Sequence, residues 1–290
     1  MSKVFLVTGS SRGLGRQIAE KVLAAGHSLV ATARRPEQLA DLAERYGPQV
    51  RTVALDVTDQ AAAQAAVDTA VEAFGRLDVV VNNAGYGNTA SVEDMTGEDF
   101  REQLDTNLLG VVNVTKAALP VLRAQGAGHV IQVSSVGGRM TTPGLSAYQA
   151  AKFAVGGFSE ALAQEVAPLG IKVTVLEPGG MRTDWAGSSM TVHPVSPAYE
   201  PTVGAFAAVR ESFVDRSAGD PAKVADVVLT VADLDEPPVR LLLGSDAVHY
   251  AAKVEAARAE SDARWRELSM STDHDDATPM DVDPMARLRV

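Results

Sequence analysis

The chain has 290 residues, of which 46% are hydrophobic, so it can bury the core of one large domain or two small ones. Its formal net charge of −11 argues against nucleic acid and anionic membrane surfaces as main partners. The absence of cysteine excludes disulfides, thiolate catalysis and cysteine metal sites, and it fits a reducing cytoplasm. The chain starts on a strand-like stretch and has no apolar run long enough to cross a bilayer. We therefore expect a cytoplasmic protein without a signal peptide or membrane span.

Short apolar, β-branched runs alternate with longer alanine-rich stretches along the chain. Strands are predicted over residues 4–7, 28–33, 50–55, 79–81, 130–134, 172–176 and 239–243. Helices are predicted over residues 13–25, 37–46, 60–74, 98–125, 147–167, 221–234 and 247–268. Strands that are apolar on both faces and alternate with helices indicate right-handed crossovers and a buried parallel sheet. The sequence thus predicts an α/β protein with a doubly wound, Rossmann-type fold: a seven-stranded parallel sheet with helices on both faces.

Two stretches interrupt this alternation. Residues 184–209 combine three prolines with six large or branched apolar residues, which are Trp185, Met190, Val192, Val195, Tyr199 and Phe206. Residues 270–290 are rich in Asp, Pro and Met, a composition typical of mobile tails. We therefore expect a single domain over residues 1–268 and a mobile tail over residues 269–290. His193 has no partner at metal-binding spacing. The acidic run around His274 could suggest weak metal binding, but a solvated acidic tail is the better interpretation, so no metal site is predicted.

A glycine-rich turn follows the first predicted strand. Three glycines at a strand-to-helix turn permit a tight bend and let the backbone approach a pyrophosphate, which the N–H groups of the following helix would bind. The spacing differs from the general Gly-x-Gly-x2-Gly fingerprint, but strand, turn and helix fall where a dinucleotide site needs them. The predicted phosphate-binding residues are Gly9, Ser11, Arg12, Gly13, Leu14 and Gly15.

The second predicted strand ends in Ala33, Arg34 and Arg35. A site that selects NAD usually carries an acidic residue at this point, which binds the ribose 2′-hydroxyl and would repel a 2′-phosphate. An arginine would instead bind that phosphate through charge-assisted hydrogen bonds. Arg12, in the glycine turn, could reach the same group. We therefore predict a preference for NADP(H) over NAD(H).

A tyrosine and a lysine lie one helical turn apart at Tyr148 and Lys152, and Ser135 precedes the tyrosine by thirteen residues. An ammonium group at that distance favours the phenolate, so we expect Lys152 to lower the tyrosine pKa. A serine hydroxyl could hold a carbonyl oxygen while the tyrosine transfers its proton. Ser134 is adjacent to Ser135, but the thirteen-residue offset favours Ser135.

Together these motifs resemble the short-chain dehydrogenase/reductase family, in its compact single-domain branch, over residues 3–250. The matching pieces lie in family order: residues 8–15, Asp56-Val57, residues 82–85, Asn107, Ser135, Tyr148, Lys152, and Pro178-Gly179 with Thr183. The resemblance implies a cofactor site that also includes Asp56, Val57, Asn83, Ala84, Gly85, Tyr148, Lys152, Pro178, Gly179 and Thr183. It implies that Asn107, Ser135, Tyr148 and Lys152 are catalytic, with Asn107 holding a water that connects Lys152 to solvent.

The resemblance also implies a reaction. We expect an NADP-dependent oxidoreductase that transfers hydride between NADP(H) and a carbonyl or secondary alcohol, with Tyr148 as acid and base. Residues 184–209 fall where the family has its substrate lid, and their apolar residues indicate either an apolar substrate or packing of the lid itself. A homo-oligomer, dimer or tetramer, is implied. The alternatives are a non-catalytic NADP(H)-sensing or partner-binding protein on the same fold, and a sugar-nucleotide epimerase or dehydratase of the larger branch.

Overall fold

The computed structural model describes residues 2–183, 190–213, 216–278 and 282. Its strands are β1 (Val4–Val7), β2 (Ser28–Ala33), β3 (Val50–Ala54), β4 (Val79–Asn82), β5 (Gly87–Thr89), β6 (Gly128–Val133), β7 (Ile171–Pro178), β8 (Met190–Val192) and β9 (Arg240–Leu243). The predicted seven-stranded parallel sheet is confirmed, with the order β3-β2-β1-β4-β6-β7-β9. The two short strands β5 and β8 form a separate parallel pair that the sequence did not predict.

The described helices are α1 (Gly13–Ala24), α2 (Ala40–Tyr46), α3 (Gln60–Phe74), α4 (Gly97–Leu104), α5 (Gly110–Gln125), α6 (Ser146–Val166), α7 (Ala205–Phe213), α8 (Pro221–Asp233) and α9 (Ser245–Met270). Most boundaries fall within two residues of the prediction. The helical stretch predicted over residues 98–125 is found at residues 97–125, but it is not one regular α-helix: a π-helical turn, Asp105–Leu109, lies between α4 and α5. The helix α7 was not predicted, and it lies partly within the expected lid.

Each face of the main sheet is covered by a separate apolar layer, as a doubly wound sheet requires. Adjacent residues of β1 point to opposite faces, so Phe5 joins one layer and Leu6 the other. Phe5 packs with residues of α1, α2 and α8, whereas Leu6 packs with residues of α3, α5 and α6. Both side chains are fully buried, and burial of each contributes roughly 1.5–3 kcal/mol.

The order of strands along the sheet reverses beside β1. The chain first adds β2 and β3 on one side of β1, and then continues on the other side with β4 and β6. A crevice forms at such a switch point, outside the carboxyl ends of the strands. The fold therefore places a cleft between the residues that follow β1 and those that follow β4.

The chain divides into two compact units, residues 1–250 and residues 251–290. The first contains the whole seven-stranded sheet. In the second, α9 ends at Met270, and the described residues that follow, 271–278, are exposed. The rest of the predicted tail, apart from residue 282, lies outside the described residues. Among the helices described, none combines the length and the apolarity needed to traverse a bilayer.

Candidate active site

A cavity of about 1140 Å³ lies at the carboxyl ends of the central strands. Its wall includes residues that directly follow β1, β2, β3, β4, β6 and β7, together with the start of α6. All of the predicted cofactor-binding and catalytic residues line this cavity. The parallel sheet thus brings together segments that are far apart in the chain.

The glycine turn has the backbone geometry that the sequence predicted. Gly9 and Gly13 have φ angles of +69° and +54°, in the left-handed region that favours glycine. A β-carbon on Gly15 would lie 2.2 Å from the Gly9 carbonyl oxygen, so the start of α1 can approach the turn only without a side chain there. The first turn of α1 carries no acidic residue, and the capping residue Arg12 makes no side-chain cap bond. The N–H groups at this end of α1 therefore suit an anion.

The residues after β4 hold this turn in place. The Thr8 hydroxyl accepts hydrogen bonds from the backbone N–H groups of Asn83 and Ala84, both at 2.9 Å. The Asn83 side-chain amide donates to the Thr8 carbonyl oxygen at 2.9 Å and to the Gly9 carbonyl oxygen at 3.3 Å. Asn83 therefore supports the glycine turn, and its own amide is used in doing so.

Arginines surround the cavity where the second strand ends. Arg34 and Arg35 are exposed and line the cavity with Arg12. On the opposite side of this rim, the carboxylate of Asp56 accepts hydrogen bonds from the Thr58 backbone and hydroxyl at 3.0 and 2.7 Å. These bonds lower the pKa of Asp56, burial opposes them, and nearby Arg34 lowers it further. This end of the cavity can therefore hold an anionic group beside a hydrogen-bond acceptor.

Ser135, Tyr148 and Lys152 meet at the other end of the cavity. Ser135 Oγ and Tyr148 Cε1 both lie against Gly137, 3.3 and 3.5 Å from where its β-carbon would be, and hydrogen bonding by Ser135 acts to lower the Tyr148 pKa. The backbone N–H of Gly137 donates to Ser135 Oγ at 3.0 Å. Ser134 Oγ instead donates to the Lys152 carbonyl oxygen at 3.4 Å. Of the two serines, Ser135 is therefore the one that contacts the tyrosine.

Burial has the largest effect on the pKa values of Tyr148 and Lys152. It raises the pKa of Tyr148 to about 12, while the hydrogen bond with Ser135 acts in the opposite direction. It also lowers the pKa of Lys152 to about 8, and Lys152 Nζ donates to the Val133 carbonyl oxygen at 2.9 Å. The ammonium lies 5.7 Å from the centre of the Tyr148 ring. The expected fall in the tyrosine pKa is therefore not found: its burial outweighs its favourable neighbours.

Asn107 is fully buried in the π-helical turn. Its amide accepts from the Tyr86 N–H at 3.2 Å and donates to the Tyr86 and Gln103 carbonyl oxygens, each at 3.0 Å. A β-carbon on Gly85 would lie 2.5 Å from Asn107 Oδ1 and 3.8 Å from Lys152 Nζ. Asn107 and Lys152 thus both lie against Gly85, which is the arrangement that a proton path between them needs.

The end of β7 completes the wall between the two ends. Pro178 is its last residue, and the Gly179 N–H donates to the Leu243 carbonyl oxygen at 2.9 Å. The side chain of Thr183 lies near Gly13: a β-carbon on that glycine would be 3.8 Å from Thr183 Cβ. Thr183 therefore lies beside the glycine turn, as a residue that contacts a pyrophosphate should.

Glu177, next to Pro178, anchors a buried ion cluster that the sequence did not reveal. Its fully buried carboxylate pairs with Arg139 at 2.7 Å and with Arg240, whose Nε lies 3.0 Å away. Arg240 also pairs with Glu160 at 2.9 Å. Arg139 closely follows Ser135, so the cluster joins the loop after Ser135 to β7 and β9.

Residues 190–209 of the predicted lid are described, whereas residues 184–189, which include Trp185, lie outside the described residues. His193 N–H donates to the Thr89 carbonyl oxygen at 2.9 Å, which continues the pairing of β5 with β8. Tyr199 donates its hydroxyl proton to Glu93 at 2.6 Å. Of the described apolar residues in the predicted lid, Phe206 lines the cavity. Both interpretations of these apolar residues, an apolar substrate and packing of the lid itself, stay predictions.

Two charged residues of the wall were not anticipated: Asp246 and Arg210. The Gly180 N–H donates to Asp246 Oδ2 at 2.8 Å, so this carboxylate holds the segment after β7. Arg210 lies on α7. No spacing motif marks either residue, because their positions depend on how the last third of the chain returns to the sheet.

Comparisons with known proteins agree with this geometry. Residues 3–192 match the family model described as short chain dehydrogenase. The oxidoreductase BOA17 of Botryotinia fuckeliana is 57% identical over 273 residues, covering 94% of this chain and 100% of that protein. A short-chain dehydrogenase from Streptomyces avermitilis superposes with a TM-score of 0.88 and 38% identity, covering 94% of this chain and 100% of the other.

The chain therefore belongs to the short-chain dehydrogenase family and is an oxidoreductase of the class that acts on CH–OH and C=O groups. A solved alcohol dehydrogenase from the archaeon Thermococcus sibiricus, complexed with 5-hydroxy-NADP, is similar at 28% identity and a TM-score of 0.69. That match covers 84% of this chain and 96% of the other. The glycine turn and the arginine rim fit a nicotinamide dinucleotide, and a side chain at Gly15 would force this turn to shift.

Proposed function

We propose that this protein is an NADP(H)-dependent reductase of carbonyl compounds, and that Tyr148 is its proton donor. The observation that carries the proposal is the position of Ser135, Tyr148 and Lys152 together on the wall of the cavity that also contains the glycine turn. A bound nicotinamide dinucleotide would supply the hydride. The protein's own residues bind the carbonyl oxygen, orient it and provide the proton.

The raised pKa of Tyr148 suits carbonyl reduction. With a pKa of about 12, the phenol is protonated at neutral pH and is ready to donate. A carbonyl oxygen that gains negative charge becomes a much stronger base than a phenolate, so the transfer is favourable. Ser135 orients that oxygen and stabilises its developing charge. Lys152, as ammonium, then stabilises the phenolate until it is protonated again.

The reverse reaction depends on the same tyrosine in its other form. Alcohol oxidation requires the phenolate, so we expect the oxidation rate to increase with pH as far as the protein stays folded. Reduction requires the phenol, and Tyr148 should not limit it until the pH approaches 12. Asn107 supports proton return through its place beside Gly85 and Lys152.

The proposed preference for NADP(H) follows from charge. Arg34, Arg35 and Arg12 line one rim of the cavity, and Ala33 stands at the position where NAD-selecting sites usually have an acidic residue. Guanidinium groups bind phosphate through paired hydrogen bonds. The cofactor complex of the archaeal relative also contains an NADP derivative. A homo-oligomer, a cytoplasmic location and an apolar substrate stay predictions from the sequence.

The test is Tyr148→Phe, which removes the hydroxyl and keeps the ring. We expect turnover with a panel of aromatic and aliphatic ketones to fall by roughly 100- to 10,000-fold, while NADPH still binds. Tyr46→Phe, outside the cavity, is the matched control and should leave turnover unchanged. Retained turnover in the Tyr148 variant would reject the assignment. NADPH binding without turnover of any carbonyl compound by the unmodified protein would instead support the non-catalytic alternative.

A further inference from the structure

The unpredicted helix α7 presents a cation to the cavity. Phe206 and Arg210 are four residues apart on α7, so they lie on the same helical face, and both line the cavity. Phe206 adds to the apolar part of the wall, which also includes Met140 and Leu145 near the catalytic group. Arg210 places a permanent positive charge at the edge of this apolar surface.

Among the described residues, Arg210 makes one side-chain hydrogen bond, which leaves most of its donors unused. Its Nη1 donates to the hydroxyl of Thr89 at 2.8 Å, and Thr89 is fully buried. Among the residues described, Arg210 pairs with no carboxylate; Glu211, the acid that influences it, is its neighbour and points about 100° away around the helix. A guanidinium has several further N–H donors in a planar fork. The Thr89 bond therefore fixes the position of the group without neutralising it.

The surroundings make this arrangement costly unless an anion binds. Arg210 is about half-buried, and this burial lowers the pKa of Arg210. A partly desolvated cation without a counter-charge is unfavourable, and it becomes favourable when a carboxylate provides matching hydrogen bonds. Two other charged residues that line the cavity, Lys152 and Asp246, make hydrogen bonds to the protein's own backbone. Lys152 bonds to Val133, and Asp246 bonds to Gly180.

We propose that Arg210 binds a carboxylate on the substrate, and that the substrate class is therefore an apolar oxo acid rather than a neutral ketone. This inference rests on the proposed function and deepens it. The substrate carbonyl would contact Ser135 and Tyr148, its apolar body would lie against Leu145 and Phe206, and its carboxylate would reach the guanidinium fork. Arg210 is a specificity-determining residue in this arrangement and takes no part in proton transfer.

The experiment compares matched pairs of substrates. A series of aryl oxo acids of increasing chain length is assayed against the corresponding methyl esters, and the ratio of kcat/KM for acid and ester is measured for each length. We expect the unmodified protein to prefer the acid at one chain length. In Arg210→Met this ratio should fall on the order of 10- to 100-fold, the effect of losing a charge-assisted pair of hydrogen bonds. Arg210→Lys keeps the charge and loses the planar fork. Its ratio of kcat/KM for acid and ester should lie between the ratios of the unmodified protein and of Arg210→Met.

The control is Arg123→Met, because Arg123 is an exposed arginine on α5 outside the cavity. It removes the same charge and should leave the ratio unchanged. If Arg210 only ties α7 to β5, Arg210→Met will reduce turnover of acid and ester equally, and the inference is overturned. A preference for the ester by the unmodified protein overturns it as well.

Calorimetry separates this inference from the proposed function. Binding of 4-phenylbutanoate is compared with binding of 4-phenylbutanol, in the unmodified protein and in Arg210→Met. If the protein reduces no carbonyl compound, the proposed function fails, yet selective binding of the carboxylate that disappears in the variant still supports the role of Arg210. Equal binding of carboxylate and alcohol, or an unchanged selectivity in the variant, rejects that role.

Discussion

The two ends of the cavity are built by different means. At the nucleotide end, the shape comes from backbone: the glycine turn, the N-terminus of α1 and the hydroxyl of Thr8 that accepts two backbone N–H groups. At the catalytic end, it comes from buried charged and polar side chains, including Lys152 and the Glu177 cluster. A side chain at Gly15 would clash with the backbone of the first end, whereas the second end depends on the ion pairs of Glu177. Four substitutions test this difference, and they are taken from the largest expected effect to the smallest.

Glu177→Gln should produce the largest loss of stability. It keeps the shape of the side chain but leaves Arg139 and Arg240 without their buried carboxylate, and breaking such a pair costs about 3–5 kcal/mol. Urea denaturation measures the free energy of unfolding. Glu160→Gln is the control, since it removes a half-exposed carboxylate from the same arginine and should cost less than about 1 kcal/mol. Equal losses of unfolding free energy in the two variants would contradict the distinction between a buried and a half-exposed carboxylate.

Gly15→Ala tests the backbone-built end. The new β-carbon would lie 2.2 Å from the Gly9 carbonyl oxygen, so the turn must shift, at a cost of roughly 1–3 kcal/mol or more. Titration of tryptophan fluorescence with NADPH should show greatly weakened binding. Gly157→Ala, in α6, has open space around the new atom and should be neutral or slightly stabilising. Unchanged binding in the Gly15 variant would show that the turn is softer than its contacts indicate.

Lys152→Met tests the charged end through pH. Because the folded-state pKa of Lys152 is lowered to about 8, the unfolded chain binds more protons than the folded protein between pH 8 and its ordinary value near 10.5. The contribution of this group to stability therefore increases as the pH rises through that interval, by about 2–3 kcal/mol. Unfolding measured at pH 7 and pH 10 should show this gain in the unmodified protein. The gain should be absent in the methionine variant. If it persists there, a group other than Lys152 causes it.

Arg34→Glu should have the smallest energetic effect and the clearest functional signature. The substitution places an acid directly after Ala33, the position where NAD-selecting sites usually carry one, and it removes the proposed ligand for the 2′-phosphate. We expect the ratio of kcat/KM for NADPH and NADH to fall on the order of 10- to 100-fold, as the loss of a charge-assisted contact predicts. Arg123→Glu makes the same change of charge on the exposed face of α5. A similar fall in that control would mean that overall charge, not the rim, sets the preference.

Sequence patterns predicted most of the fold because local chemistry decides those elements. Runs of β-branched residues mark the strands, and the glycines mark the turn after β1 because no other residue fits there. The offset to Tyr148 was enough to choose Ser135 over Ser134. Sequence patterns did not predict the features that depend on tertiary structure. The burial that lowers the pKa of Lys152 cannot be read from a one-turn spacing, and α7 reaches the cavity only through the return of the chain from β7.

The π-helical turn between α4 and α5 imposes a constraint on the length of this segment. The Gly110 N–H bonds to the Asp105 carbonyl oxygen five residues back, so the turn contains one residue more than an α-helical turn would. Deleting that residue would let α4 and α5 join as one regular helix, but it would rotate one relative to the other by about 100°. Asn107 would then no longer face Tyr86. The orientation of the Asn107 amide therefore fixes the number of residues between α4 and α5.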